Sequence, residues 1–195
     1  MTMNPAHYFT LLRILISPAF PLLYLEREWL GIPLLWMPYI LLFLLAVSEC
    51  SDYLDGIIAR KRNQVTDLGK VLDPMADSIT HISLFLTFTQ GFVQLPLLLV
   101  LVFLYRDFFI ATLRTLCAMK GVVLAARFSG KVKAALQGAV AFLILLLMIP
   151  YTLGYLSLAT FQMISLISAS IAALYTAISI VDYIGANWIF IKRAI

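Results

Sequence analysis

Six apolar runs, each about the length of a membrane-crossing helix, constrain this chain more than any other feature of its sequence. They begin near Phe9, Pro33, Gly69, Leu95, Gly130 and Ser157 and end near Tyr24, Asp55, Gln90, Met119, Pro150 and Tyr183. About 20 predominantly apolar residues span the hydrocarbon of a bilayer as a helix, whereas a barrel strand needs only about ten. Within lipid every backbone N–H and C=O must be satisfied internally, and a helix does this by itself. With 63 % apolar and 12 % charged residues in 195, composition leaves little for a water-facing surface. The expected fold is therefore all-α and integral to the membrane: a bundle of six transmembrane helices forming a single domain over residues 1–195, with a polar cavity expected on its cytoplasm-facing side.

Turn-forming residues divide the runs: Gly31-Ile32-Pro33, Gly91 with Pro96, Gly121, Pro150 with Gly154, and Gly185-Ala186-Asn187. Arg13 interrupts the first run and no small-residue cleavage site follows, so that run reads as a span and not as a cleavable signal. Arg60, Lys61, Arg62 and Lys70 flank the second connection, and Lys120, Arg127, Lys131 and Lys133 flank the fourth. Lys192 and Arg193 close the chain, and the third and fifth connections have no Lys or Arg. The excess of Lys and Arg on cytoplasmic loops then puts both termini on the cytoplasmic side of the cell (inner) membrane.

Against this apolar background, residues 52–77 concentrate charge. They read D-x-x-D-G-x-x-A-R-x8-G-x-x-x-D-x-x-x-D, through Asp52, Asp55, Gly56, Ala59, Arg60, Gly69, Asp73 and Asp77. Four of the ten acidic residues occupy pattern positions. Ionisable residues at the edge of membrane spans mark function by default. Asp52 and Asp55 are three apart and Asp73 and Asp77 four apart, so each pair shares a helix face. Two helices can thus aim four carboxylates into one gap, a donor set suited to two hard divalent cations, Mg²⁺ or Mn²⁺. The alternating oxygen ligands of an EF-hand loop are missing. One carboxylate can also serve as a base, and spacing does not choose between Asp73 and Asp77. Arg60 supplies a planar donor fork suited to a diphosphate. Gly56 and Gly69 allow close approach of a ligand or of a neighbouring helix. Pro74 is expected in the first turn of its helix, where no intrahelical N–H is lost. Asp67 lies off the pattern and reads as a loop or capping residue.

The eight fixed residues resemble, without a gap, the signature of the CDP-alcohol phosphotransferases, integral-membrane enzymes of phospholipid synthesis. That resemblance implies a CDP-linked donor and release of CMP. It gives the four aspartates to metal, Gly56, Ala59, Arg60 and Gly69 to the CDP donor, and the catalytic base to Asp77. Homodimers are usual in the family, and no nucleic-acid partner is implied.

The alcohol acceptor has to be sought further along the chain. Arg106 and Asp107 lie within the fourth run, Arg114 two turns later, and Lys131 and Lys133 at the mouth of the fifth. Arg106 is too deep to reach the interface easily and needs a partner or a wet cavity. Pairing with Asp107 is one outcome, although adjacent helical residues point in different directions. Ordinary loop charge is a competing reading for the cations near residue 130. Together, Arg106, Arg114, Lys131 and Lys133 can form a site for a phosphate-bearing acceptor. Asn4, Thr10 and Arg13, the Asp73–Asp77 segment, the Arg-acidic-x6-Arg helix and Gly130–Lys133 also resemble the bacterial phosphatidylglycerophosphate synthases. This narrower likeness implies transfer from CDP-diacylglycerol to sn-glycerol 3-phosphate. Ser78 stands where those enzymes usually carry Lys, and His7 stands where Thr is expected. Sister enzymes using inositol phosphate, serine or phosphatidylglycerol are the alternative, and a membrane cation transporter or channel is the alternative from another class.

His81 follows Asp77 by one turn on the same face and reads either as a packed histidine or as a partner of a metal-binding carboxylate. Cys50 and Cys117 have no metal or disulfide spacing, and Cys50 is expected as buried apolar filler. Trp29, Trp36, Tyr39, Tyr151, Tyr155 and Trp188 fall near span ends, as interfacial anchors do.

Overall fold

The structure, a computed structural model, describes residues 5–61, 67–121 and 127–194, with side chains for 10–51, 72–121, 127–189, 191 and 192. Among the described residues there are seven α-helices and no strand: α1 Pro5–Ile16, α2 Ala19–Leu25, α3 Met37–Lys61, α4 Asp67–Thr87, α5 Leu97–Met119, α6 Phe128–Thr152 and α7 Leu158–Ala194. A 3-10 turn, Leu34–Trp36, leads into α3.

The first apolar run is a broken helix, α1 followed by α2. Pro18 has no N–H to continue α1 and disfavours helical backbone at Ser17. The Ser17 hydroxyl caps the break by donating to the Arg13 carbonyl (2.8 Å), and it lies 2.9 Å from Thr80 Oγ1 on α4. Counting α1 and α2 as one unit gives the six helical units expected. The connecting glycines at 31, 91, 121 and 154 all have positive φ, a conformation that costs glycine little.

Among the described residues, three segments are long and apolar enough to cross a membrane: Leu34–Ser51, Phe128–Thr152 and Leu158–Ile189. Helices α4 and α5 are of similar length but carry Asp73, Asp77, Arg106, Asp107 and Arg114. Leu15, Phe43 and Leu174 are 76, 68 and 65 % exposed. Large apolar side chains turned outward on many helices suit a lipid surface, and the all-helical fold is consistent with a membrane protein. Helix α7 packs along α5 and α6, α1 against α3 and α4, and α6 also meets α3 and α4. Phe20, Leu41, Phe85, Phe103, Ile144, Met148 and Phe161 are fully buried where these helices meet.

One end of the bundle closes around aromatic rings. Tyr151 stacks on Phe161 at 5.2 Å, and Phe92 lies 5.1 Å from Tyr151 and 5.2 Å from Tyr24. Tyr151 is therefore packing material, not the free interfacial anchor expected of it; Trp29, Trp36, Tyr39, Tyr155 and Trp188 are exposed. The Tyr24 hydroxyl accepts from Phe92 N–H (3.2 Å), and Gln162 Nε2 donates to the Phe92 carbonyl (2.8 Å).

Three further expectations need correction. Gly185-Ala186-Asn187 does not end the last helix, which runs on to Ala194. Asn187 is buried and donates from Nδ2 to the Tyr183 carbonyl four residues back (2.8 Å), so its side chain follows the helix instead of capping it. Pro74 lies inside α4 because that helix starts at Asp67; spanning helices tolerate proline where neighbours satisfy the freed carbonyl. Cys50 is exposed, on the wall of a cavity, and only Cys117 is buried.

The Gln90–Phe92 turn yields a stability prediction. Gly91 has φ +66, and a Cβ there would stand 2.7 Å from the Tyr24 ring, whereas one at Gly154 (φ +80) meets nothing within 4 Å. Gly91→Ala should cost at least about 2 kcal/mol and Gly154→Ala about 1 kcal/mol. Thermal unfolding of the two variants in detergent checks the order.

Candidate active site

At the opposite end, α1 packs against α3 and α4, and α4 carries Asp73 and Asp77 of the acidic motif. The Thr10 hydroxyl on α1 donates to Asp73 Oδ1 on α4 at 2.9 Å, and Thr10 is 1 % exposed. Asp73 is thus held by a donor that cannot easily turn away. Asp77 lies one turn further along α4, its side chain 33 % exposed. His81 sits another turn on, buried, with Nδ1 at 3.7 Å from Asp77 Oδ1 and Nε2 at 3.5 Å from Glu49 Oε1. Both distances exceed hydrogen-bond length. Glu49, Asp77 and His81 have ligand atoms within 4.8 Å of one another. They line a cavity of about 510 Å³ bounded by α3, α4 and α6, whose remaining wall is largely apolar, through Leu45, Ala139 and Phe142.

Asp52, Asp55, Gly56, Ala59 and Arg60 lie on α3, and Gly69 on α4; their side chains, with that of Asp67, lie outside the described residues. The two aspartates that are described offer carboxylate oxygens, the donor chemistry a hard divalent cation takes. Glu49 went unremarked in the sequence, although it precedes Asp52 by three residues and belongs on the same helix face.

The basic residues gather on α5 and α6. Lys133 Nζ donates to both oxygens of Asp107, at 2.7 and 2.9 Å, and Arg106 Nη1 donates to Asp107 Oδ1 at 3.0 Å. The side chains of all three are at most 10 % exposed. The neighbours Arg106 and Asp107 do pair, because the long guanidinium stem folds back over the carboxylate. The Ser78 hydroxyl faces the same carboxylate from α4, at the position where a Lys was expected from the resemblance. Asp107 consequently links three helices, and Lys133 feels the charge of Asp77 as well as that of Asp107.

Arg114, two turns beyond Arg106, donates from Nε to the Tyr183 hydroxyl of α7 at 3.0 Å, with its guanidinium 5.4 Å from that ring's centre. Lys131 is exposed on the first turn of α6. Arg127 pairs instead with Asp182 of α7 (3.2 Å), which also accepts from Ser129. Ser179, Asp182 and Tyr183 had no signal in the sequence, since they lie on a run that looked like plain membrane span.

The family model for CDP-alcohol phosphatidyltransferase matches residues 3–181. A CDP-diacylglycerol–glycerol-3-phosphate 3-phosphatidyltransferase of Bacillus subtilis is 32 % identical over 98 % of this chain and 98 % of its own length. One with the same name from Treponema pallidum is 35 % identical over 74 % of this chain and 69 % of its own. A cardiolipin synthase (CMP-forming) of Streptomyces coelicolor is 47 % identical, but over only 34 % of this chain and 30 % of its own. The chain belongs to the CDP-alcohol phosphatidyltransferase family and is a transferase of phospholipid biosynthesis. The transporter alternative falls with that assignment.

The shared carboxylate sets up a second stability comparison. Asp107→Asn leaves two buried cations without a counter-charge and should cost about 3 kcal/mol or more. Lys133→Met leaves Asp107 still paired with Arg106 and should cost less than half as much. Unfolding midpoints of both variants in the same detergent test the ranking.

Proposed function

We propose that this protein transfers the phosphatidyl group of CDP-diacylglycerol to sn-glycerol 3-phosphate, giving phosphatidylglycerophosphate and CMP. The single observation that carries the acceptor assignment is the group of cations beside the motif. Arg106 and Lys133 share one carboxylate, Arg114 has the Tyr183 hydroxyl and no carboxylate among the described residues, and Lys133 lies near enough to Asp77 to feel its charge. Such a cluster favours an acceptor that brings its own phosphate. A neutral or zwitterionic alcohol would leave it without a ligand.

In this reading the donor pyrophosphate lies over α3 and α4, approached by Gly56, Ala59 and Gly69 and contacted by Arg60. Asp52, Asp55, Asp73 and Asp77 hold two divalent ions, Mg²⁺ or Mn²⁺. When bound, such ions neutralise pyrophosphate charge and stabilise the charge that develops on the departing CMP. Thr10 fixes Asp73 for that task. Asp77, partly exposed to the cavity, takes the proton of the acceptor hydroxyl. The acceptor oxygen bonds to the phosphorus that carries diacylglycerol as the bond from that phosphorus to CMP breaks. Arg106, Arg114, Lys131 and Lys133 hold the acceptor phosphate and so orient its hydroxyl. The active site and both termini face the cytoplasm of the cell membrane, where the soluble acceptor is available, and the enzyme works as a homodimer.

Purified protein given CDP-diacylglycerol, Mg²⁺ or Mn²⁺, and in turn glycerol 3-phosphate, inositol phosphate, serine and phosphatidylglycerol should release CMP with glycerol 3-phosphate alone. Turnover with phosphatidylglycerol instead would favour the second reading, to which the Streptomyces relative lends a short stretch of identity. Asp77→Ala, or excess EDTA, should lower CMP release at least about 100-fold. Full activity under either condition overturns the mechanism.

A further inference from the structure

A single turn of α7 reaches every arginine of the basic cluster. Ser179 Oγ accepts from Arg106 Nε at 3.2 Å, while its own proton goes to the Thr176 carbonyl at 2.7 Å. Asp182 takes Arg127 at 3.2 Å, and Tyr183 takes Arg114 at 3.0 Å. Positions 179, 182 and 183 are spaced three and four apart, so they present one face to α5 and α6. Each contact involves an Nε–H, which leaves guanidinium N–H groups to bind something else.

The three arginines differ in what neutralises them. Arg127 has the carboxylate of Asp182, and Arg106 has a share in Asp107. Among the described residues no carboxylate pairs with Arg114; the structure gives it the Tyr183 hydroxyl and ring face. Both are neutral, so they orient the guanidinium without cancelling its charge. Tyr183 is 1 % exposed and packs with Ile110, Leu113 and Cys117 of α5. Its ring is therefore fixed, and through it Arg114.

We propose that Tyr183 is a positioning residue for the acceptor, holding Arg114 with its charge free for the acceptor's phosphate group, and that α7 thereby contributes to acceptor selection. This rests on the reading of the cluster as the acceptor-phosphate site. A positioned guanidinium loses less freedom when it binds phosphate, so Tyr183 acts on acceptor affinity and leaves the donor and the bond-breaking step alone.

Tyr183→Phe keeps the buried ring and removes one hydroxyl, so the variant should fold with an unfolding midpoint near that of the unaltered chain. In steady-state CMP release its KM for glycerol 3-phosphate should rise about tenfold, the effect of one hydrogen bond to a charged group. The KM for CDP-diacylglycerol and the kcat at saturating acceptor should stay within about twofold. Ser179→Ala should raise the acceptor KM less than Tyr183→Phe does, because Asp107 still holds Arg106. Arg114→Gln separates the two levels of the argument. A raised acceptor KM in Arg114→Gln with none in Tyr183→Phe overturns the positioning role and leaves the acceptor site standing. No change in either variant overturns the acceptor role of Arg114, and the positioning role with it. Parallel changes in both substrates' KM values, or a fall in kcat alone, mark Tyr183 as merely structural and also overturn the proposal.

Discussion

The carboxylate of Asp107 is the point on which the charged end depends. Two cations that are almost wholly buried reach it from different directions, Lys133 across from α6 and Arg106 from the next residue, and Ser78 faces it from α4. Buried ion pairs of this kind add little net stability, because desolvation offsets most of their attraction. Their cost when broken is large, however, and that asymmetry gives them a use in register. Helices α5 and α6 can slide or rotate past each other only by stranding a charge. The acidic half of the site, on α3 and α4, and the basic half, on α5 and α6, are therefore fixed relative to each other by the same groups that give the basic half its charge.

Most of the architecture was legible because a membrane leaves so few choices. Once each apolar run is long enough to cross, backbone hydrogen bonding dictates a helix, and only its ends remain open. The ends set by glycine at 31, 91, 121 and 154 were readable, since positive φ there reflects a steric rule. The ends that depend on tertiary contacts were not. Asn187 looks like a helix breaker until its amide is seen bonded four residues back. Ser17 and Pro18 lie inside an unbroken apolar run, and their break becomes intelligible only beside Thr80. Pro74 lies two turns into α4, beyond the first turn expected for it.

The site divides in the same way. A motif whose members lie within one or two turns announces itself by spacing; of its aspartates, Asp73 is bonded to Thr10 and Asp77 lines the cavity. Thr10 belongs to the same site from 63 residues away, joined to it only by the packing of α1 on α4. Arg106 was picked out as a deep cation needing a partner or a wet cavity, and Lys133 as a cation at the mouth of a span. That they share Asp107 was hidden, because sequence separation does not report which way a long side chain folds. Ser179, Asp182 and Tyr183 are the limiting case: a hydroxyl, a carboxylate and a phenol spread through a span whose apolar residues dominate any reading of it.

This division has a consequence for how such a site separates its two tasks. The residues assigned to the donor and metal are carried by α3 and α4, which α1 and α6 pack against. The cations assigned to the acceptor are carried by α5 and α6, and their orientation is completed by α7. Changes on the inner face of α7 can therefore redirect or loosen the arginines without touching a carboxylate of the motif. The physical separation is as short as one step along α4, from Asp77, turned to His81 and the cavity, to the next residue, Ser78, turned to Asp107. Adjacent residues on a helix point roughly 100° apart, and that angle is enough to put the carboxylate proposed as the proton acceptor on one side and the support of the basic cluster on the other. A hydroxyl at position 78 faces Asp107 without adding charge, so the counter-charge to that carboxylate comes from Lys133 and Arg106. In the proposed reading the cations that neutralise Asp107 are also the ones that take the acceptor's phosphate, so that one group of side chains would set both the charge balance of the bundle's interior and the affinity for an anionic substrate.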